Sequence, residues 1–196
     1  RHDTAVQRSA LLLFELGETP PCARALLETR AGKETLRSFF SQWMRYSQVE
    51  DVVKNDIEDF DRIRAAMSAE TARFIDEVVF VDEGGISELL TASYTHIGQE
   101  LTDFYGFGEG EVSPGRVERP ENWGKGLLAQ GSLLASNAHA DSSSPTQRGL
   151  LVYEKLRCQE IGPPPANVPN ITPPEPGQRT TRERYEEAHV QPTCLF

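Results

Sequence analysis

A cluster of prolines constrains this chain more than any other feature of its sequence. Seven of the fourteen residues from Pro163 to Pro176 are proline. Each proline fixes its own φ angle and lacks an amide hydrogen, so neither a helix nor an inner strand can pass through this segment. The segment therefore predicts an extended, polyproline-like connection, with folded elements only before and after it.

The first half of the chain has the periodicity of amphipathic helices. Apolar side chains recur every three or four residues, as on one helix face, in the segments 33–46 and 60–81. Strand signals are almost absent, so we expect a mainly α fold, with a helical bundle module over residues 1–106. Gly32 is expected to interrupt the helical pattern ahead of the first of these segments. Shorter helices are expected at three further segments, namely 4–16, 22–30 and 95–106.

Residues 107–196 form the second expected module, because the composition changes after Gly106. Glycine and serine are frequent over about forty residues, and a loop of that length is usually functional or disordered. Within it, the segment 126–136 predicts a short helix or a buried turn. Gly106 is expected to be the C′ glycine that ends the helix before it.

Two capping boxes predict the starts of helices in this second module. Ser144 is a suitable N-cap, Pro145 suits the first helical position, and Gln147 stands three residues after the cap. Thr180 and Glu183 repeat the same spacing after the proline-rich segment. We therefore expect one capped helix before the proline-rich segment and a short C-terminal helix after it.

The charge balance argues against nucleic-acid binding, and the length of the apolar runs argues against a membrane span. Thirty acidic and twenty basic side chains give a formal net charge of -10, and no basic stripe of the kind that binds nucleic acid is present. The longest apolar run, 10–16, is far shorter than the roughly 20 residues that cross a bilayer. We therefore expect no nucleic-acid partner and no membrane span in this segment.

The four histidines lack the spacing of a local metal site. His2, His96, His139 and His189 form neither an HExxH motif nor a zinc-finger pattern. His139 lies in the serine-rich stretch "SNAHADSSS", which raises the alternative of a hydrolase. No GxSxG motif accompanies it, and such an enzyme would need a serine and a carboxylate within hydrogen-bond reach of His139.

Three cysteines leave at least one thiol outside any internal disulfide. Cys22 and Cys158 can pair in an oxidising compartment, and that pairing would tie the two expected modules together. Cys194 lies five residues after His189 and is followed by "LF". Covalent attachment of haem c uses Cys-x-x-Cys-His. Cys194 and the two residues after it fit the first three positions of that motif, but any Cys-x-x at the end of a sequence would do so, and the spacing alone indicates no haem.

Four stretches of the chain resemble the planctomycete-type cytochrome c-like proteins, which are large secreted bacterial chains. The first is "LRSFFSQWM" with "DFDRIRAAMSAETARFIDEVV", and the second is "ISELLTASYTHIGQELTDFYG", where the family usually has asparagine at the position of Gly98. The third runs from "GLLAQGSLLASNAHADSSSPTQRG" to the proline-rich segment. The fourth, "TTRERYEEAHVQPTCLF", is similar to a closing segment that continues in the family as Cys-His.

The resemblance implies two consecutive domains of unknown function within a larger multi-domain parent chain. It also implies a periplasmic, cell-envelope or extracellular location, with the rest of the parent chain or other envelope proteins as partners. Haem c is the implied cofactor, provided that the chain continues past Phe196. Cys194 would then provide one thioether, and His189 or His139 would lie near the haem.

The main alternative is a helical scaffold or protein-interaction module of the cell envelope with no enzymatic activity. A helical bundle with a proline-rich segment can hold partner proteins, and its acidic surface keeps it soluble. This alternative predicts a colourless protein, whereas a c-type cytochrome has a sharp absorption band when reduced.

Overall fold

The fold was analysed in a computed structural model that describes residues 21–107, 113–162 and 180–183. The chain is mainly helical, as the sequence predicts. It divides into two compact units between Gln42 and Trp43. The helices are α1 (Pro21–Glu28), α2 (Arg30–Met44), α3 (Phe60–Asp76), α4 (Ile86–Thr91), α5 (Gln99–Phe104), α6 (Gly131–Ser136) and α7 (Pro145–Leu151); the strands are β1 (Tyr94–Ile97) and β2 (Gly115–Glu118).

Several sequence predictions fall outside the described residues. These are the helix at 4–16, the extended segment 163–176, and the residues His189 and Cys194. The boundary between two modules at residues 106 and 107 also stays a prediction. Residues on both sides of that boundary lie in the unit that begins at Trp43.

The break between α1 and α2 falls at Thr29, so the expected interruption at Gly32 is wrong. Gly32 is the third residue of α2, and its amide donates to the Thr29 hydroxyl at 3.0 Å, which caps the new helix. The Thr29 hydroxyl and amide both donate to the Leu26 carbonyl. A Cβ atom on Gly32 would lie 2.1 Å from that carbonyl oxygen. Glycine is therefore present because the end of α1 passes close by, and it does not break the helix.

A two-stranded antiparallel sheet replaces the first turn of the helix expected at 95–106. In this sheet β1 pairs with β2, with Thr95 opposite Val117 and Ile97 opposite Gly115. Thr95 and Ile97 lie on one face and are both buried, which is the period of two that a strand requires. Helix α5 begins only after Gly98, whose backbone is extended. Gly106 has a φ of 77°, as expected of the glycine that ends a helix.

The core of the larger unit lies where α3 packs against the sheet and α5. Its buried cluster comprises Val49, Phe60, Met67, Ile97, Leu101 and Val117. Helix α3 covers most of the predicted segment 60–81, but residues Glu77–Val81 form a π-helical turn. The wider turn shifts the helical phase. Val78 is buried, whereas Val81, which regular helical spacing would place on the same face, is 65% exposed.

The predicted helix starts in the second half of the chain are confirmed. The Ser144 side chain accepts from the Gln147 amide and Pro145 is the first residue of α7. Thr180 and Glu183 cap each other, with the Glu183 carboxylate accepting from the Thr180 amide at 2.7 Å. The segment 126–136 forms a short 3-10 turn, Leu127–Ala129, followed by α6.

Gly126 positions this turn against the end of α4. It has a φ of +62°, its amide donates to the Ala92 carbonyl at 2.8 Å, and a Cβ atom there would lie 2.3 Å from the Leu90 carbonyl. We expect Gly126→Ala to lower the free energy of unfolding by about 2–4 kcal/mol, because both the backbone angle and the contact become strained. Urea denaturation of the full chain measures this change.

Gly149→Ala is the matched control, since Gly149 lies in α7 and a Cβ atom there meets nothing within 4 Å. That substitution should raise stability by up to about 1 kcal/mol through helix propensity. Equal effects of the two substitutions would contradict the close approach at Gly126.

Candidate functional site

A buried glutamate lies at the centre of the larger unit. Glu70 lies on α3 and is only 2% exposed. One of its carboxylate oxygens accepts from the Thr95 hydroxyl of β1, and the other accepts from the Tyr105 hydroxyl just after α5, each at 2.6 Å. A buried carboxylate is costly unless it is hydrogen-bonded, so these two donors are what make the burial tolerable.

Gln130 and Arg119 extend this network. The Thr95 hydroxyl has a single proton, which it gives to Glu70, so it must accept from the Gln130 amide nitrogen at 3.2 Å. In that orientation the amide nitrogen also lies 3.3 Å from Glu70, and the amide oxygen accepts from the Arg119 guanidinium at 2.9 Å. Arg119 further donates to the carbonyls of Gly124 and Ala129. Its positive charge is therefore joined to the Glu70 carboxylate through one side-chain amide.

Burial raises the pKa values of both Glu70 and Tyr105. Desolvation raises the pKa of Glu70 above its ordinary value, and the hydrogen bonds from Thr95 and Tyr105 and the charge of Arg119 offset part of this rise. Burial also raises the pKa of the Tyr105 hydroxyl, and the neighbouring Glu70 raises it further. Glu70 is thus a carboxyl group that can hold a proton at higher pH than an exposed glutamate does.

The network opens onto a pocket of about 570 Å³. Its lining includes Glu70, Tyr105 and Arg119 from the network, together with Trp123 and Lys125. Pockets of 300 to 1,000 Å³ are typical of small-molecule sites. The remaining lining comes from residues of the 3-10 turn, α6 and α7, including Leu128, Leu134 and Arg148.

Gly131 makes room for the Tyr105 hydroxyl beside Glu70. A Cβ atom at Gly131 would lie 2.3 Å from that hydroxyl oxygen and 3.2 Å from a side-chain carbon of Met67. Any side chain at this position would push Tyr105 away from the carboxylate. The small residue at the start of α6 therefore belongs to the site, although it contributes no polar group.

A second, more apolar groove of about 360 Å³ contains His139 in its lining. Its lining also includes Ile57 and Phe60. Three residues line both this groove and the first pocket, namely Tyr105, Gly131 and Leu134. The His139 residue itself is exposed. An exposed imidazole beside apolar side chains can offer a ring nitrogen to a bound group.

Backbone hydrogen bonds hold the loop that carries His139. The His139 amide donates to the Ser142 carbonyl at 2.9 Å, and the Asn55 amide donates to the Ala140 carbonyl at 3.1 Å. The Lys54 ammonium donates to the carbonyls of Ala138 and His139. Burial lowers the pKa of Lys54, and Asp141 opposes that shift. These hydrogen bonds fix the backbone position of His139.

The serines near His139 do not form a hydrolytic site with it. Ser144 is 2% exposed and caps α7. Across residues 21–107, 113–162 and 180–183, no hydrogen bond joins the His139 ring to a serine or to a carboxylate. The hydrolase alternative therefore lacks the hydrogen bonds between His139, a serine and a carboxylate that it requires.

The other predicted site residues are not among the described residues that form this centre. Cys22 and Cys158 are exposed free thiols, and they belong to the two separate units, so their pairing stays a prediction. Cys194 and His189 lie outside the described residues. His96 on β1 is half-buried, with its Nε2 atom 3.6 Å from the Glu77 carboxylate, and burial lowers its pKa.

Two negative observations concern only the described part of the chain. Within it, no group of three or more histidine, cysteine or acidic side chains is arranged to bind a metal ion. None of the helices described there has the length and apolar character needed to cross a membrane.

Sequence reasoning missed Glu70, although one signal was available. Met67, Phe74 and Val78 form an apolar face at the helical spacing of the segment 60–81, and Glu70 falls on that same face. A charged residue within an apolar stripe indicates a buried, partnered charge. Its partners could not be identified in this way, because they come from segments 25 to 60 residues further along.

The raised pKa of Glu70 predicts a specific pH dependence of stability. A carboxyl group whose folded pKa exceeds its unfolded value stabilises the fold when protonated, and that stability is lost as the pH rises through the folded pKa. The free energy of unfolding of the wild type relative to Glu70→Gln should therefore fall as the pH rises above the ordinary value of 4.5. For a single carboxyl group the slope does not exceed about 1.4 kcal/mol per pH unit.

Denaturant unfolding between pH 4 and 8 measures this slope. Glu121→Gln is the control, because Glu121 is exposed and should show no such difference from the wild type. A flat difference between wild type and Glu70→Gln over this range would contradict the burial of an ionisable carboxyl group.

Lys54 should protect the His139 loop from local opening. Lys54→Met removes both carbonyl contacts, so hydrogen exchange of the Asn55 and His139 amides should accelerate about tenfold, as expected for the loss of about 1.4 kcal/mol. Lys125→Met is the control, since Lys125 is exposed and lies outside this loop. Unchanged exchange in Lys54→Met would show that the ammonium does not hold the loop.

Comparison with known families gives two matches, in consecutive parts of the chain. Residues 18–107 match PSD4, described as a protein of unknown function (DUF1592). Residues 124–196 match PSCyt3, described as a protein of unknown function (DUF1588). No curated protein and no solved structure matches the chain. The two matches are to planctomycete cytochrome c-like domain families, in agreement with the resemblance seen in the sequence.

Proposed function

We propose that this chain is part of an extracytoplasmic, c-type cytochrome-like protein that transfers electrons through a covalently attached haem. The observation that carries the proposal is the pair of consecutive matches to cytochrome c-like domain families, the second of which includes Cys194. Both families are of unknown function, so the electron-transfer role is our inference from the family names and from the cysteine.

Cys194 is the residue proposed to hold the haem. In c-type attachment a cysteine thiol adds across a vinyl group of the haem, so that a thioether forms and no other product is released. A second cysteine and a histidine following Phe196 would complete the motif. The haem, when bound, would supply one-electron redox chemistry, and this chain would supply its attachment, its surroundings and a possible iron ligand.

His139 is the described residue that best fits an iron ligand. Its ring is exposed, its backbone is fixed by Lys54 and Asn55, and it lies beside an apolar groove. Histidine is a common ligand of haem iron and apolar side chains suit the faces of a haem, so an exposed histidine beside an apolar groove supports this choice. His189 is the alternative ligand, because it lies five residues before Cys194 in the sequence.

The family matches support a location outside the cytoplasm, because planctomycete cytochrome-like domains are typically extracytoplasmic. We propose that its partners are the other domains of the same parent chain or neighbouring envelope proteins.

Intact mass and absorption spectra of the native-length protein test this proposal. We expect the added mass of one haem and a sharp absorption band on reduction. Cys194→Ala should remove one of the two thioether bonds and lower the yield of covalently attached haem several-fold, because attachment then depends on a single sulfur. Cys158→Ala is the matched control and should retain full attachment.

His139→Ala distinguishes the two candidate ligands. If His139 ligates the iron, the spectrum and the reduction potential change while covalent attachment persists. His96→Gln should leave both unchanged, because His96 lies against Glu77 on the sheet. A colourless protein of unmodified mass would contradict the cytochrome proposal and favour a scaffold or interaction module.

A further inference from the structure

The pocket beside Trp123 has a composition that differs from the rest of the chain. The formal net charge of the chain is -10, yet the pocket lining contains three basic side chains, Arg119, Lys125 and Arg148, and one acidic side chain, Glu70. Such a concentration of positive charge in an acidic protein needs a specific reason. A bound anion is the simplest one.

The one acidic side chain in the pocket lining, Glu70, already accepts hydrogen bonds from the protein. Both oxygens of Glu70 accept from neighbouring hydroxyl groups, those of Thr95 and Tyr105. Glu70 is coupled electrostatically to Arg119, so it offsets at most one of the three positive charges in the lining. Within the described part of the chain, neither Lys125 nor Arg148 forms a salt bridge with a carboxylate.

Arg119 contributes positive charge to the pocket lining. Its terminal nitrogens donate to two backbone carbonyls and to Gln130. Its Nε atom is buried and has no acceptor among the described residues, so a molecule in the open pocket does not reach that atom. The guanidinium therefore acts on a bound anion through its charge.

The lining of the pocket also contains aromatic and apolar side chains, which favour a ligand with an apolar part. Trp123 is half-buried, and the rings of Tyr105 and Phe107 pack against it with centroids 5.5 Å away. Leu128 and Leu134 add further apolar surface. An inorganic anion would leave this surface unused, whereas a flat organic molecule could lie against the indole.

We propose that this pocket binds a small organic carboxylate, with its negative charge near Arg119, Lys125 and Arg148 and its flat apolar body against Trp123. His139 is not among the residues that line this pocket, so the proposal adds a ligand-binding function to the proposed redox role. Binding to the pocket can be measured on the full chain whether or not it carries haem, so the outcome is independent of the cytochrome proposal.

Benzoate is a suitable probe, because it combines a carboxylate with a flat apolar ring. Benzamide is the matched uncharged ligand of the same shape. The chain has two tryptophans, so the two indole N–H signals in a ¹H–¹⁵N spectrum report on two places. Trp43 donates its indole N–H to the Lys155 carbonyl at 2.8 Å and is not in the pocket lining, which makes its signal an internal reference.

We expect benzoate to shift the Trp123 signal in a saturable way and to leave the Trp43 signal in place. Benzamide should bind at least tenfold more weakly, because it carries no charge for the basic side chains. The double substitution Lys125→Met and Arg148→Met should raise the Kd for benzoate at least tenfold. Arg62→Met removes an exposed cation outside the pocket and should leave the Kd unchanged.

Four results would overturn the proposal. These are the absence of a saturable shift at Trp123, equal affinity for benzamide, unchanged affinity in the double variant, and binding of inorganic phosphate as tight as that of benzoate. Lys125 is exposed and Arg148 half-buried, so the double variant should fold. An unchanged thermal unfolding midpoint would show that any lost affinity comes from the pocket.

Discussion

The larger unit of this chain depends on the burial of a single carboxyl group. Glu70 takes hydrogen bonds from β1 and from the end of α5, and Gln130 joins the same group to Arg119 after β2. Desolvating an acid is unfavourable, and only a full set of donors offsets the cost. Four short segments must therefore lie in fixed positions around α3 for Glu70 to be buried with its hydrogen bonds satisfied.

This requirement explains why short elements are sufficient here. The strands have four residues each and α5 and α6 have six, lengths that are marginal in isolation. Polar contacts to the centre fix their positions, and glycines at 126 and 131 allow the close approaches that such contacts need. The same arrangement leaves one side of the network open as the Trp123 pocket, so stability and ligand binding would use the same residues.

The elements that the sequence predicted correctly are those with local signals. The helices at 33–46 and 60–81 follow from apolar periodicity, and the caps at Ser144 and Thr180 follow from residue types at fixed spacing. The sheet was missed because four residues give too short an alternation, and its pairing joins residues about twenty apart. The pocket was missed because its lining is brought together only by the tertiary fold, from segments between α3 and α7.

The titration of the Glu70 carboxyl group tests this account most directly. The ¹³C chemical shift of its side-chain carboxyl, assigned by comparison with Glu70→Gln, gives the pKa in the folded chain. The account predicts a value clearly above 4.5, the ordinary value for glutamate, together with slow exchange of the hydrogen-bonded Tyr105 hydroxyl proton. A carboxyl group that titrates at or below 4.5 would contradict the account, because desolvation of Glu70 would then not outweigh its hydrogen bonds and the charge of Arg119.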